Sequence, residues 1–310
     1  MVANVDKYRS DENSDSSSEG ASDQFVRDID ALTPVEERCG LLFKRDDLYR
    51  PFEPSFLNGG KLRQVMRLLQ DCRRPGVITA ASIHSPQIPL VAGAAHHLGL
   101  HCVAVVGGTR ETPELEIAKQ FGATIKRVAS GRHRALFAEV TRLNSALDYQ
   151  VISYGVVSPA VPLSYFMTQG QQAANLPDEL DALVVTCGSG VSTLSILGGL
   201  WQFSKHVDEL IVVATAPSRR EKILNFLQTA QPSLKTFLAS VKVTHVDLFG
   251  SPGFRYEQRA PYKLCGIALH PLYEGKAFRH VMRQRNCLSK RTLFWIIGAD
   301  LSAPRTGCHA

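Results

Sequence analysis

The sequence predicts an α/β protein of two domains, a three-layer α/β/α architecture with mostly parallel sheets. Three observations carry that expectation. Short apolar, strand-like runs alternate with helical stretches at loop lengths suited to parallel pairing. The alternation occurs twice, on either side of the segment Ser158-Pro159-Ala160-Val161-Pro162. And 310 residues, 44% of them hydrophobic, suffice for one large or two moderate cores.

The elements follow in chain order. Residues 10–23 are rich in Ser, Asp and Glu and poor in apolar side chains, so they cannot bury enough surface to fold, and disorder is expected. Structure is expected to begin near Thr33-Pro34, with Leu41-Leu42-Phe43 as a first strand. Leu62, Val65, Met66 and Leu69 recur at i, i+3, i+4 and i+7, the spacing of one helix face. Residues 77–80 read as a strand. Residues 88–98 read as a buried helix that stops at Gly99, where a left-handed residue is wanted. A strand over 101–106, a helix over 113–121 and a strand over 124–128 complete the first run. In the second run, residues 165–174 read as helix, 182–186 as strand, 194–203 as helix and 210–214 as strand. Ligands of such sheets sit beyond the carboxyl ends of the strands.

Composition narrows the function classes. No apolar run reaches the ~18–20 residues of a membrane span, and no apolar secretory segment opens the chain. A cytoplasmic protein is expected. Seven scattered cysteines without a CxxC pair argue against a zinc site or disulfide framework, so reduced thiols and no bound metal are expected, with Cys102 a core residue. Residues 1–24 have a balance of −4 against +6 for the whole chain, which leaves +10 on the remainder. A basic body favours anionic partners, nucleic acid among them, without specifying one.

Two short segments carry chemistry. A strand leads through Cys187 into Gly188-Ser189-Gly190-Val191-Ser192-Thr193 and then a helix. Glycines there let backbone N–H groups converge, the helix N-terminus adds its dipole, and the hydroxyls add donors, an arrangement suited to a phosphate monoester. The plainer alternative is a tight turn capped by Ser192 or Thr193. Further upstream, Asn58-Gly59-Gly60-Lys61 places a lysine at a helix start, where the dipole disfavours its charge and favours a nucleophilic amine. By itself this pattern is better read as a surface lysine.

Together with Phe43-Lys44-Arg45-Asp46-Asp47-Leu48, the Lys61 segment resembles the opening of the fold-type-II pyridoxal 5'-phosphate (PLP) enzymes of the tryptophan synthase beta-like superfamily. The branch it resembles is that of 1-aminocyclopropane-1-carboxylate deaminase and D-cysteine desulfhydrase. Residues 79–87 resemble that family's serine loop, Gly188-Ser189-Gly190 its phosphate cup, and His270-Pro271-Leu272-Tyr273-Glu274-Gly275-Lys276-Ala277 its "DPVYEGKA" block. The resemblance implies that Lys61 forms the Schiff base with PLP and moves protons at the substrate Cα. It implies that Ser85 lies near the substrate and that Gly188, Ser189, Gly190, Val191, Ser192 and Thr193 cradle the phosphate. Tyr273 would face cofactor and substrate, and Glu274 would meet the pyridine nitrogen. The alternative for Tyr273 and Glu274 is a solvated loop. The division implied is a large PLP-binding domain from 35–60 and 160–303, a small domain at 61–159, and tails at 1–34 and 304–310. A homodimer is also implied.

The departures are specific. Ala81-Ser82 replace paired glycines, Pro86 replaces an asparagine, Ile297 removes a threonine, and His84, in place of glutamine, is either a substrate contact or a structural histidine. A PLP-dependent lyase or deaminase acting on a small amino acid is therefore the expected function. The altered Ser85–Pro86 loop and basic body motivate a second: a PLP decarboxylase or lyase acting on an amino-acid adduct of a nucleic-acid base, as in viral DNA hypermodification. Pro86 and Ile297 motivate a third, a non-catalytic binding protein.

Overall fold

The computed structural model describes residues 29–52, 56–153, 155, 167–217, 221, 225, 229, 233–284 and 288–301. The acidic stretch 10–23 and the segment 158–162 lie outside them.

The described strands form two parallel-based sheets. Strands β3 (Gly76–Ala80), β4 (His101–Gly107), β5 (Thr124–Val128) and β6 (Gln150–Ile152) make a four-stranded sheet of order β5-β4-β3-β6, parallel throughout. Strands β1 (Val35–Arg38), β2 (Leu41–Arg45), β7 (Glu179–Cys187), β8 (His206–Ala214), β9 (Lys242–Asp247) and β12 (Thr292–Ile296) make the other, of order β1-β2-β12-β7-β8-β9. Only the β1–β2 hairpin is antiparallel there. The hairpin of β10 (Tyr262–Leu264) and β11 (Ile267–Leu269) stands apart.

The strands buried on both faces are unbroken apolar runs, because helices cover both sides. Leu183, Val184, Val185, Phe294 and Trp295 are fully buried in the larger sheet, Val77 and Ile78 in the smaller. Helices α1 (Gly60–Leu69), α2 (Gln87–His97), α3 (Pro113–Gln120) and α4 (His133–Leu147) belong to the smaller sheet. Helices α5 (Val191–Gln202), α6 (Ser233–Ser240) and α7 (Glu274–Gln284) belong to the larger.

Several expectations are corrected. The first strand is Val35–Arg38 rather than Leu41-Leu42-Phe43, which is its hairpin partner. In the expected helix over 165–174, residues 165 and 166 lie outside the description, and Gly170–Asn175 is a 3-10 helix packed against α5. The packing explains the tight turn: a Cβ on Gly199 would meet the Gly170 carbonyl oxygen at 2.0 Å, so the two backbones touch. Cys102 is buried, as its apolar neighbours suggested, and burial raises its thiol to about 12. Among the described residues no helix is long and apolar enough to cross a membrane.

Candidate active site

The carboxyl ends of β3, β7 and β12 converge, and the candidate site lies there. β7 ends at Cys187 and continues as the 188–190 turn into α5, whose N-cap residue Gly190 has φ +90°. That left-handed backbone is why glycine is needed at this position. No side chain caps α5, so neither Ser192 nor Thr193 serves as the cap considered from sequence. Thr193 Oγ1 and Thr186 Oγ1 are instead buried without a hydrogen-bond partner. An orphaned buried hydroxyl costs about 1–3 kcal/mol, and both line the same cavity of about 80 Å3. Two unanswered donors beside free helix N–H groups are what a bound phosphate would satisfy, so the residues present fit the phosphate of PLP. Ser189 differs from expectation: its hydroxyl donates to the Gly155 carbonyl at 3.0 Å.

Lys61 lines that cavity together with Gly188, Ser189, Gly190, Ser192 and Thr193. Its helix can start there because of the glycine pair before it. Gly59 has φ +97°, and a Cβ on it would meet the Ile297 carbonyl oxygen at 2.6 Å. The Gly60 N–H donates to that same carbonyl at 2.7 Å, tying the head of α1 to the end of β12. Asn58 completes the tie by accepting the Ala299 N–H at 2.9 Å. Burial lowers the Lys61 amine to about 8, against an opposing pull from Glu274. Removal from water is the largest cause of that lowering.

Glu274 is the first residue of α7 and is buried, which overturns the solvated-loop alternative. Burial raises its carboxyl to about 7, although its own backbone N–H and those of Ile297 and Gly298 hold the charged form. The Ile297 N–H reaches Glu274 Oε1 at 3.1 Å. Tyr273 lines the cavity as well and shares a hydroxyl–hydroxyl hydrogen bond with Tyr256, 2.5 Å long.

Ser85 is buried beside Lys61 in an adjoining cavity of about 220 Å3, and its Oγ accepts the Gln87 N–H at 3.3 Å. Gln87 in turn donates to Thr79 Oγ1 and the Ser153 carbonyl and accepts the Gly155 N–H, each at 3.0 Å. The serine loop and the 188–190 turn are therefore joined through Gly155. Pro86 and Ile297 both line the Lys61 cavity, where they present apolar surface. His84 lines neither cavity; it is half-buried, and burial lowers its pKa near Glu114 and Arg110.

Sequence patterning missed Asn58, Thr186 and His270 as lining residues. His270 is buried against Tyr273 with ring centroids 5.0 Å apart, and burial lowers its pKa to about 4, so it is neutral near pH 7. Its Nδ1 accepts the Leu272 N–H at 3.3 Å, which leaves Nε2 to carry the proton. The substitution of histidine for aspartate in the 270–277 block was the available signal. The Lys44–Asp47 block, in contrast, is scaffold. Asp46 accepts from Trp295 Nε1 at 2.8 Å and Thr33 Oγ1 at 2.7 Å, and Arg45 grips Asp47 through two bonds of 2.9 Å.

No protein-family model matches the chain. It is 25% identical to the O-seryl-dTMP PLP-dependent decarboxylase of Salmonella phage ViI, over 83% of this chain and 77% of that protein. It is 28% identical to the D-cysteine desulfhydrase of Yersinia pestis (strain Pestoides F), over 80% of this chain and 82% of that one. Among solved structures, an ACC deaminase homologue superposes with a TM-score of 0.69 at 24% identity, covering 86% of this chain and 89% of the other. A PLP-dependent aspartate racemase superposes with a TM-score of 0.58 at 14% identity, covering 90% and 95%. The chain has the fold of the fold-type-II PLP-dependent enzymes and is a homologue of the D-cysteine desulfhydrases and the phage decarboxylase.

Proposed function

We propose that this enzyme is a PLP-dependent lyase or deaminase that acts at the Cα of an amino acid or amino-acid-like amine, with Lys61 as the residue that carries the cofactor. The observation that supports it most is the meeting, in one cavity, of an amine with a lowered pKa and a glycine turn with orphaned threonine hydroxyls. PLP, when bound, supplies an electron sink for charge that develops at Cα.

The chain's own residues do the rest. The N–H groups around Gly188–Thr193 and the hydroxyls of Thr186, Ser192 and Thr193 would hold the phosphate. Glu274 would offer a carboxylate to the ring nitrogen. Lys61 Nζ would take or return the proton at Cα, and an amine with pKa about 8 exchanges protons readily near neutrality. Ser85 and Tyr273 would orient the substrate from the adjoining cavity. The test is the absorbance of purified protein on adding PLP. A visible band is expected, absent from Lys61→Ala; a band that survives in Lys61→Ala overturns the assignment.

The similarity to the phage enzyme, together with Pro86 and Ile297 in the cavity wall, favours a second reading: decarboxylation or elimination on an amino-acid adduct of a nucleic-acid base. Ammonia release from free amino acids supports the first reading, and CO2 release from a seryl-thymidylate supports the second. A Lys61-dependent band with neither product points to a binding protein. The homodimer implied by the resemblance is checked by sedimentation of the purified chain.

A further inference from the structure

Helix α7 links the candidate site to a second feature. Its first residue, Glu274, faces the Lys61 cavity, while Lys276, Arg279, His280 and Arg283 recur at i, i+3, i+4 and i+7 and line a groove of about 360 Å3 on its outer side. The opposite face, Ala277, Phe278 and Val281, is buried in the core. Arg255 lines the same groove from the facing loop, and among the described residues no Asp or Glu lines it. Glu257, exposed in that loop, is the acid that acts on Lys276.

The groove and the site share a wall. Lys276 Nζ holds the carbonyls of Arg255 and Tyr256 at 2.8 and 2.9 Å, and Arg279 holds that of Pro261 at 2.7 Å. Consecutive loop residues then face opposite ways: Arg255 lines the groove and Tyr256 lines the cavity that holds Lys61 and Ser85. Lys276 also lies over the Phe254 ring at 4.7 Å and Arg279 over Tyr262 at 5.0 Å, contacts that hold the cations in place.

We propose that this cationic groove binds the phosphate backbone of a nucleic-acid strand that carries the modified base to this protein. The inference rests on the second reading above and adds the surface that would hold the polymer. Geometry favours a polymer over a single anion. Lys276 to Arg283 spans seven residues, about 10 Å at 1.5 Å per residue, longer than the gap between neighbouring phosphates of one strand, so the stripe meets about two of them. A membrane surface is disfavoured because interfacial helices need exposed apolar side chains to insert. None of the large exposed hydrophobic residues among those described lies in the groove, and Phe254 is covered by Lys276.

The test uses the full chain loaded with PLP and a fluorescein-labelled 20-nucleotide DNA, single-stranded and duplex, titrated at increasing salt. Arg255→Glu/Arg283→Glu is the groove variant. Arg73→Glu/Lys235→Glu changes the charge equally at exposed positions outside the groove. The groove variant is expected to bind at least about tenfold more weakly and to lose about two units of salt slope, one per lost phosphate contact. The control variant keeps affinity and slope. Equal weakening in both variants, unchanged binding by the groove variant, or binding of phosphatidylglycerol vesicles without binding of DNA overturns the proposal. Absence of a Lys61-dependent band would sink the catalytic reading alone, since the DNA titration still decides the groove.

Discussion

Thr193 is where the chemistry of the site is most exposed to test. Its hydroxyl is buried and unanswered, so Thr193→Val should leave the PLP-free protein as stable or more stable, by up to about 1–3 kcal/mol in urea unfolding. The same variant should bind PLP on the order of tenfold more weakly or worse, because a hydrogen bond to a charged group contributes about 1.5–3 kcal/mol. A structural threonine would move both quantities the same way. Lys61 gives a second residue-scale test. A depressed pKa means the neutral, nucleophilic amine prevails above about 8 rather than above 10.5. The rate of PLP capture by the apo-protein should therefore rise through pH 8 and level off above it; a rate still climbing toward pH 10.5 would contradict the burial argument.

At the scale of elements, the site depends on backbones that approach too closely for side chains. Gly59 combines φ +97° with contact to the Ile297 carbonyl and the Gly298 Cα, 2.6 and 2.9 Å from any added Cβ. Gly59→Ala should cost about 1–3 kcal/mol in unfolding free energy through strain alone and should displace the head of α1. Loss of the PLP band should accompany the loss of stability. Gly40→Ala, a residue with φ +71° but nothing within 4 Å of its added Cβ, is the comparison. Strain acts there too, but the PLP band should persist.

Across the whole molecule, Arg259 spans elements of both sheets. It pairs with Glu114 on α3 at 3.3 Å and with Asp300 just beyond β12. The guanidinium is about one-third exposed, but the Glu114 carboxylate is buried, so removing the arginine strands a buried charge. Arg259→Ala should lower the unfolding midpoint, Arg259→Ala/Glu114→Gln should restore part of it, and hydrogen exchange in the single variant should quicken in α3 and in residues 297–301, which wall the Lys61 cavity. Much of this fold was legible beforehand, because strands such as Ala182–Thr186 and the 62–69 helix face write their burial into a local period. The 188–193 turn and the lysine after paired glycines each had a plainer reading by themselves, and became legible through the ordered blocks that resemble the PLP enzymes. The helix His133–Leu147 and the edge strand Val35–Arg38 were not, since half-exposed elements mix polar and apolar residues without a sharp period. Nor was the buried state of Glu274, the neutral His270, or the diversion of Ser189 to Gly155. The sequence by itself therefore determined the alternation of elements and the anion-suited turn, both local properties. Only the tertiary structure decided that β3, β7 and β12 end at one place, and that desolvation found there lowers the pKa of Lys61. Burial is a property of what packs around a residue, and those neighbours come from distant parts of the chain.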